Sequence, residues 1–233
     1  MTTVLALETS SEVASVALLH DNQLTMRETR GVQTHSQSVL PMAQALLAGA
    51  GIGLRDCDAI AFGCGPGSFT GVRTASGIAQ GLAYGASLPV VPVVTLKAMA
   101  EALRMESGAL DVLAILDARM GEVYWAHYRF NQMWQEVVAP TLSLAADIVV
   151  QGSPSVIGNI GTGQQPGEGK ESLPLALRGL PLMKALPHAA QVAELGRQAC
   201  LRGQVLAASE AQPLYLRNKV ALTTAERQAR TGA

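Results

Sequence analysis

Charged and aromatic residues are scarce in this sequence of 233 residues, of which they make up 15% and 4%. Hydrophobic residues make up 48%, so a chain of this length can bury a sizeable core in one large domain or two small ones. The low charge leaves less polar surface than usual. We therefore expect part of the surface to be covered by another subunit.

The number of cysteines and the net charge are also small. The three cysteines, Cys57, Cys64 and Cys200, are odd in number and form no CxxC pair, which argues against a disulfide framework or a zinc ribbon and fits a reducing cytosol. The formal net charge is −1. Because binding to nucleic acid phosphates requires a basic surface, the sequence argues against a protein that binds nucleic acid on its own.

Long apolar runs are missing as well. The first residues, MTTVLALETSS, have no basic region before their short apolar run, which predicts a β-strand rather than a signal peptide. No stretch reaches the roughly 20 apolar residues that a membrane helix requires. We therefore expect a cytoplasmic protein that does not contact a membrane.

The residue patterns of metal and nucleophilic catalysis are absent. The four histidines are scattered and form no HExxH, so a zinc peptidase site is not favoured. We expect His35 to be a polar residue at a helix start. Ser68 has no His–Asp pair near it in the sequence and is expected to cap a helix. These patterns predict neither catalytic residues nor metal ligands.

The most distinctive stretch is residues 59–85, where a short apolar run leads through a glycine-rich turn into a helix. No Lys-Ser or Lys-Thr follows the glycines of the turn, which predicts a tight strand-to-helix connection rather than a phosphate loop. Within the helix, Gly77, Gly81 and Gly85 are four residues apart. Because a mid-helix glycine costs about 0.5–1 kcal/mol relative to alanine, we expect these glycines to admit another backbone, inside the lobe or in another subunit.

The first half of the chain predicts an α/β unit. Residues 4–7, 13–19 and 23–30 are predicted strands joined by short turns, as in an antiparallel meander. The pattern then predicts a helix over 38–50, a strand over 59–63, a helix over 69–85, a strand over 90–94 and a helix over 95–105.

The second half repeats this order of elements. We predict strands over 111–117, 122–130 and 133–138, then a helix over 144–150, a strand over 155–157, a glycine-rich loop over 158–169 and a helix over 189–202. The repeat indicates two related lobes with a cleft between them, residues 1–107 and 108–222. Residues 223–233 are predicted to be a mobile tail.

Two acidic residues and one C-terminal segment each have two interpretations. Glu8 ends the first strand beside hydroxyl residues, where it either holds a metal-bound phosphate or is simply a polar strand end. Asp117 either projects a carboxylate into the cleft or joins Arg119 in a surface turn. The segment PLYLR, residues 213–217, either docks on another surface or packs on its own lobe.

Several stretches together resemble the TsaB (formerly YeaZ) family. LALETSSEVASVAL, HSQSVLP, GCGPGSFTGVRTASGIAQGLA, LDARMGEVY and PLYLR occur here in the order and spacing of that family. The resemblance implies an α/β fold of the actin/hexokinase-like (ASKHA) type, with two lobes, each a three-stranded meander-based mixed sheet with flanking helices. One departure is Glu8, where such proteins often have aspartate.

The resemblance also implies a function. TsaB-like proteins are non-catalytic scaffold or activator subunits that pair with the paralogous TsaD subunit, which carries the metal-binding histidines. TsaD transfers threonylcarbamoyl from its adenylate to an adenosine beside the anticodon of tRNA, and a small ATPase, TsaE, joins the pair. By this resemblance the chain has no activity or cofactor by itself, forms a homodimer when alone and meets tRNA only through the complex.

In this family the dimer contact uses the two helices of the first lobe, here 38–50 and 69–85. The implied interface residues are Leu40, Ala43, Leu47, Val72, Ala75, Ile78, Gly81 and Leu82.

Two alternatives to this function remain open, because fold does not determine function. The first is a stand-alone ATP-binding enzyme similar to small-molecule kinases, with Glu8, Asp117 and the glycines of residues 158–163 as remnants of a nucleotide site. The second, less favoured, is a metallopeptidase.

Overall fold

A computed structural model describes residues 2–31, 35–159, 173–180 and 182–217 of the chain. These residues form two five-stranded sheets, and in each sheet three antiparallel strands continue into two parallel ones. Helices flank both sheets. The predicted fold class, an α/β protein of the ASKHA type with two meander-based lobes, is confirmed.

The first sheet is built around a central strand that is buried on both faces. Its strands are β1 (Val4–Glu8), β2 (Val13–His20), β3 (Gln23–Arg30), β4 (Ala59–Gly65) and β5 (Val90–Val94), in the order β3-β2-β1-β4-β5. In the register, Leu5 lies between Leu18 of β2 and Ile60 of β4. The unbroken apolar run of β1 is explained by this central position, because a parallel neighbour and covering helices leave neither face to solvent.

The second sheet has the same arrangement of strands. It contains β6 (Asp111–Arg119), β7 (Glu122–Asn131), β8 (Met133–Leu144), β9 (Ser155–Asn159) and β10 (Leu182–Lys184), in the order β10-β9-β6-β7-β8. The structural repeat that the order of predicted elements suggested is therefore present in the sheets.

Five α-helices lie within the described residues: α1 (His35–Gly49), α2 (Phe69–Ala86), α3 (Thr95–Ser107), α4 (Leu175–Arg178) and α5 (Ala189–Leu201). Helices α1 and α2 pack on the face of the first sheet that carries Leu5 and Leu7. Helices α3 and α5 pack in a second core that both sheets share, where Val4 and Ala61 of the first sheet meet Val112 and Ala114 of the second. This shared core joins the two lobes at the base of the cleft.

The last helix returns to the first lobe. Although α5 follows the strands of the second sheet, it packs against β1, β2 and β4. Val90 of β5 then forms a bridge with Leu206 just after α5. The two sheets separate at residues 107 and 108, whereas the C-terminal segment lies on the first sheet; the lobe boundaries by residue number stay a prediction.

One predicted helix is wrong. Residues 144–150 do not form an α-helix, since β8 continues to Leu144 and only the short 3-10 turn Ala145–Asp147 follows. Leu144 pairs with Glu122 and Ser143 with Val123, so strand pairing overrides the weak helical pattern. β10 and α4 are not predicted by the sequence pattern, because at three and four residues they are too short to show a hydrophobic period.

Two predictions lie partly or wholly outside the described residues. Gly158 and Asn159 of the predicted glycine-rich loop belong to β9, and residues 160–169 are not described. The predicted mobile tail, 223–233, is outside the described range as well. None of the helices in the described part of the chain is long and apolar enough to cross a membrane.

Candidate functional site

A cleft of about 430 Å³ lies between the two lobes and adjoins the shared core at Leu116 and Tyr124. The loop after β1 contributes Ser10 and Ser11 to its wall, and the turn before α2 contributes Ser68. From the second lobe, Asp117 and Asn159 line the cleft. The predicted cleft between the lobes is therefore present.

The glycine-rich turn places the start of α2 directly on the end of β1. Gly65 has a φ of +105°, a conformation that side chains other than glycine rarely adopt. A Cβ at Gly71 would overlap the carbonyl oxygen of Thr9. Ser68 caps α2, because its hydroxyl accepts a hydrogen bond from the Gly71 N–H at 3.4 Å. The interpretation of Ser68 as a helix cap is confirmed.

Glu8 lies beneath the cleft instead of lining it. Its carboxyl group is fully buried and accepts hydrogen bonds from the Ser10 N–H at 2.6 Å and the Thr95 hydroxyl at 3.4 Å. Burial raises the pKa of Glu8, and the hydrogen bonds from Ser10 and Thr95 oppose this effect. The position of Glu8 is that of a polar strand end with local partners. A role of Glu8 in cofactor binding stays a prediction.

Asp117 satisfies both interpretations of its position. It lines the cleft, as a carboxylate available to a ligand would. Its Oδ1 also accepts a hydrogen bond from the Arg119 N–H at 2.7 Å, and the Arg119 guanidinium lies 3.8 Å from Oδ2. The turn network is therefore present at the edge of the cleft. A role of Asp117 in cofactor binding stays a prediction.

The surroundings of His35 and of the three cysteines are those of structural residues. His35 is buried at the start of α1, with its Nε2 3.4 Å from the Glu12 carbonyl oxygen. Within the described ranges, no group of three or more His, Cys, Asp and Glu side chains is placed to hold a metal ion. The three cysteines are free, and burial raises the pKa of Cys57 to about 11 and that of Cys64 to about 12.

The C-terminal strap, which we define as residues 211–217 and which contains PLYLR, packs on its own chain. The Leu214 N–H donates to the Cys64 carbonyl oxygen at 2.7 Å, and the Tyr215 hydroxyl accepts from Arg73 Nε at 2.7 Å. Arg217 reaches the second lobe, where it pairs with Glu122 at 2.6 Å. Of its two interpretations, packing on its own chain is correct, but the strap contacts both lobes.

The residues that meet the strap were not found from the sequence. Phe69, Arg73 and Glu122 lie in stretches that carry the family resemblance, but nothing in those stretches indicated a contact with the strap, and Arg73 is separated from Tyr215 by 142 positions. The aromatic and basic residues of PLYLR did predict that the segment packs against another surface, but they did not indicate which residues form that surface.

Four of the eight implied interface residues lie in the chain's own core. Three of them belong to the core between the first sheet and helices α1 and α2: Ala43, Leu47 and Ala75. The fourth, Val72, is buried near the start of α2. Their side chains are therefore not available to a partner, which corrects that part of the prediction. The physical reason is that the apolar stripes of α1 and α2 are needed to cover the sheet.

The other four residues are accessible. Leu40 is 42% exposed, Gly81 is exposed, and Ile78 and Leu82 are half-buried. Gly77, Gly81 and Gly85 all lie on the exposed side of α2, and a Cβ at any of them would have no neighbouring atom within 4 Å. These glycines do not admit a backbone from within the described part of the lobe. A role of this face in dimerisation stays a prediction.

Comparison with known proteins assigns the chain to a family. The family model "TsaD: tRNA N6-adenosine threonylcarbamoyltransferase" matches residues 18–161. A curated relative from Escherichia coli, tRNA threonylcarbamoyladenosine biosynthesis protein TsaB, is 42% identical over 94% of this chain and 96% of its own. A Haemophilus influenzae protein of the same name is 39% identical over 94% of each chain.

Solved structures agree with this assignment. YeaZ from Pseudomonas aeruginosa superimposes with a TM-score of 0.82 at 37% identity, over 93% of this chain and all of the other. A second structure from P. aeruginosa, described as an uncharacterized protein with similarity to peptidase YeaZ, has a TM-score of 0.84 at 39% identity with the same coverage. The chain therefore belongs to the TsaB (YeaZ) family.

Proposed function

We propose that this chain takes part in the formation of threonylcarbamoyladenosine in tRNA, as a non-catalytic subunit that activates a TsaD-like catalytic subunit. A TsaE-like ATPase joins the pair, tRNA is met through the complex, and the chain needs no cofactor of its own. The assembly works in the cytoplasm. The names of the E. coli and H. influenzae relatives, which match over nearly their whole length, support the process.

The exposed glycine face of α2 is the observation that carries the partner role. Gly77, Gly81 and Gly85 cost helix stability, yet no side chain or backbone of the described chain fills the space above them. Tyr84, beside them, is 82% exposed. A helix from a second protein can approach this face closely, which offsets the cost of the glycines.

Helix contacts of this kind are self-complementary. The same face of two copies can pair about a two-fold axis, so the proposal includes a homodimer when the TsaD-like subunit is missing. Leu40 of α1, which is 42% exposed, and half-buried Leu82 of α2 provide accessible apolar side chains on these two helices. The homodimer and the heterodimer then compete for one surface.

Light scattering tests the assembly. The chain alone should have the mass of a homodimer, and addition of the TsaD-like subunit should convert it to a heterodimer. Gly81→Leu should abolish both assemblies while leaving the fold intact. Gly179→Leu is a matched control, since Gly179 also has open space around it but lies outside α1 and α2. Equal assembly by both variants would remove the α2 face from the proposal.

Reconstitution tests the activity. The chain alone should form no threonylcarbamoyladenosine, and the TsaD-like subunit with the TsaE-like ATPase should depend on this chain for turnover. Full turnover without the chain would overturn the proposed role as an activator.

The cleft keeps one alternative open, a stand-alone ATP-binding enzyme. Asp117 lines a cavity of about 430 Å³, which is large enough for a small ligand. Tight ATP binding by the isolated chain that is lost in Asp117→Ala would favour this alternative. A stoichiometric bound metal would be required for the third hypothesis, a metallopeptidase.

A further inference from the structure

The C-terminal strap is attached to the first lobe along α2. The Ser76 hydroxyl donates to the Ala211 carbonyl oxygen at 2.6 Å, and the Leu214 N–H donates to the Cys64 carbonyl oxygen at 2.7 Å. Further along, the Tyr215 ring lies 6.0 Å from the Phe69 ring. The first five residues of the strap therefore follow the first lobe to the edge of the cleft.

Arg73 reinforces this attachment. Its guanidinium lies 3.8 Å from the centre of the Phe69 ring and 5.6 Å from that of the Tyr215 ring, while its Nε donates to the Tyr215 hydroxyl. A cation beside two aromatic rings is attracted to their faces. Tyr215 is thus held by a tilted contact with the Phe69 ring, by the charge of Arg73 and by a hydrogen bond.

The other end of the strap is attached to the second lobe. Arg217 donates through Nη2 to the Glu122 carboxylate at 2.6 Å and to the Ala118 carbonyl oxygen at 3.0 Å, and through Nη1 to the Met120 sulfur at 3.3 Å. These three acceptors surround the turn between β6 and β7. The Arg217 side chain is 15% exposed, so its charged hydrogen bonds are partly shielded from water.

The strap forms part of the wall of the cleft between the two lobes. Leu214, Leu216 and Arg217 line the cleft together with Ser10 of the first lobe and Asp117 of the second. The base of the cleft is joined by the core in which α3 and α5 pack. Any opening of the lobes about this base must stretch or release the strap.

We propose that the C-terminal strap is a latch that holds the two lobes at a fixed separation. Its catch is the Arg217–Glu122 ion pair, and its anchor is Tyr215, which contacts Phe69 and Arg73. When the catch is released, the β6–β7 turn moves away from α2 and the cleft widens. The latch acts within one chain and is independent of the proposed partners.

Distance measurement between spin labels tests the latch. Exposed positions Thr70 at the start of α2 and Leu144 at the end of β8, which pairs with Glu122, place one label on each lobe. The labels are introduced as cysteines in a Cys200→Ser background, and labelled protein is diluted with unlabelled protein to remove contacts between copies. The parent chain should give one narrow distance distribution.

Release of the catch should broaden this distribution and shift it to longer distances. Arg217→Gln removes the ion pair from the strap, and Glu122→Gln removes it from the second lobe. Each should therefore have the same effect, and the double variant should add little to the effect of either single variant. The Leu214 amide should also exchange with solvent about ten-fold faster, as expected for loss of a charged hydrogen bond.

Arg119→Gln is the matched control. Arg119 lies in the same turn but is 88% exposed and pairs within the turn, 3.8 Å from Asp117, so the distance distribution should not change. If Arg217→Gln fails to fold, Glu122→Gln carries the test, because it leaves the strap sequence intact. A narrow, unshifted distribution in folded Arg217→Gln or Glu122→Gln would overturn the latch, as would a broad distribution in the parent.

Discussion

Gly63 leaves the space in which the buried carboxyl group of Glu8 lies. A Cβ at position 63 would overlap the Glu8 carboxylate, and Glu8 is fully buried and hydrogen-bonded to Ser10 and Thr95. The glycine of β4 and the acidic residue at the end of β1 therefore fit each other across the sheet. This relationship gives Glu8 a structural role beneath the cleft.

Gly63→Ala should destabilise the chain. Because the Glu8 carboxyl group is enclosed, we expect the free energy of unfolding to fall by about 1–3 kcal/mol, as for other overpacked cores. Urea unfolding at a fixed protein concentration measures this change. Gly179→Ala is the control: its Cβ would meet no atom, its backbone is in the right-handed helical region, and it lies outside the helix face proposed for assembly, so it should raise stability by about 0.4–1 kcal/mol. A loss no larger for Gly63→Ala than for Gly179→Ala would contradict the overlap.

Glu8 should make stability fall as pH rises. Burial raises the pKa of Glu8, so between the unfolded value of about 4.5 and the raised folded value the native state binds more protons than the unfolded state. Over this window the free energy of unfolding should decrease by up to about 1.4 kcal/mol per pH unit. Glu8→Gln cannot ionise and should lack this decrease. Identical slopes for the parent and Glu8→Gln in urea titrations at several pH values would refute the prediction.

His188 should act in the opposite direction at the start of α5. Its Nδ1 accepts a hydrogen bond from the Ala190 N–H at 3.1 Å, which requires an unprotonated Nδ1. Burial lowers the pKa of His188, and Glu28, whose carboxylate lies 3.3 Å from Nε2, opposes this effect. Below pH 6.5 the unfolded state therefore binds the extra proton first, and stability should be lost as pH falls through the folded pKa.

Substitution of His188 separates the cap from the titration. His188→Asn keeps a good N-cap and should remove this part of the pH dependence, whereas His188→Ala should also lower the free energy of unfolding by about 1 kcal/mol at neutral pH. Unfolding curves between pH 5 and pH 8 give both quantities. The prediction is wrong if His188→Asn shows the same loss of stability at low pH as the parent.

Tyr128→Phe should leave stability unchanged or raise it by up to about 1 kcal/mol. The Tyr128 hydroxyl is buried and has no hydrogen-bond partner among the described residues, so its removal relieves a desolvated polar group. Trp134→Phe is the contrasting variant, because the indole N–H of Trp134 donates to buried Glu101 at 2.8 Å. We expect Trp134→Phe to cost about 1–3 kcal/mol in urea unfolding. A comparable loss for Tyr128→Phe would show that its hydroxyl has a partner.

Most of the fold could be predicted from the sequence because its signals are local. The apolar run of β1 and the short turn between β2 and β3 each lie within a few residues, and nine of the ten described strands begin where they were predicted. The prediction of a helix over 144–150 was wrong because Leu144 pairs with Glu122, which lies in a strand 22 positions away. Elements as short as β10 leave no period to detect.

The candidate sites likewise have some features that the sequence predicts and others that depend on the tertiary structure. The sequence by itself determined the two lobes, the Ser68 cap of α2 and the glycine spacing of its outer face, since these depend on residue type and local period. Only the tertiary structure decided that Glu8 is sealed beneath the cleft, that Val72 and Ala75 belong to the chain's own core, and that the strap joins both lobes. Those outcomes depend on which distant segments meet, as Arg217 meets Glu122 across the cleft, and no local pattern encodes that meeting.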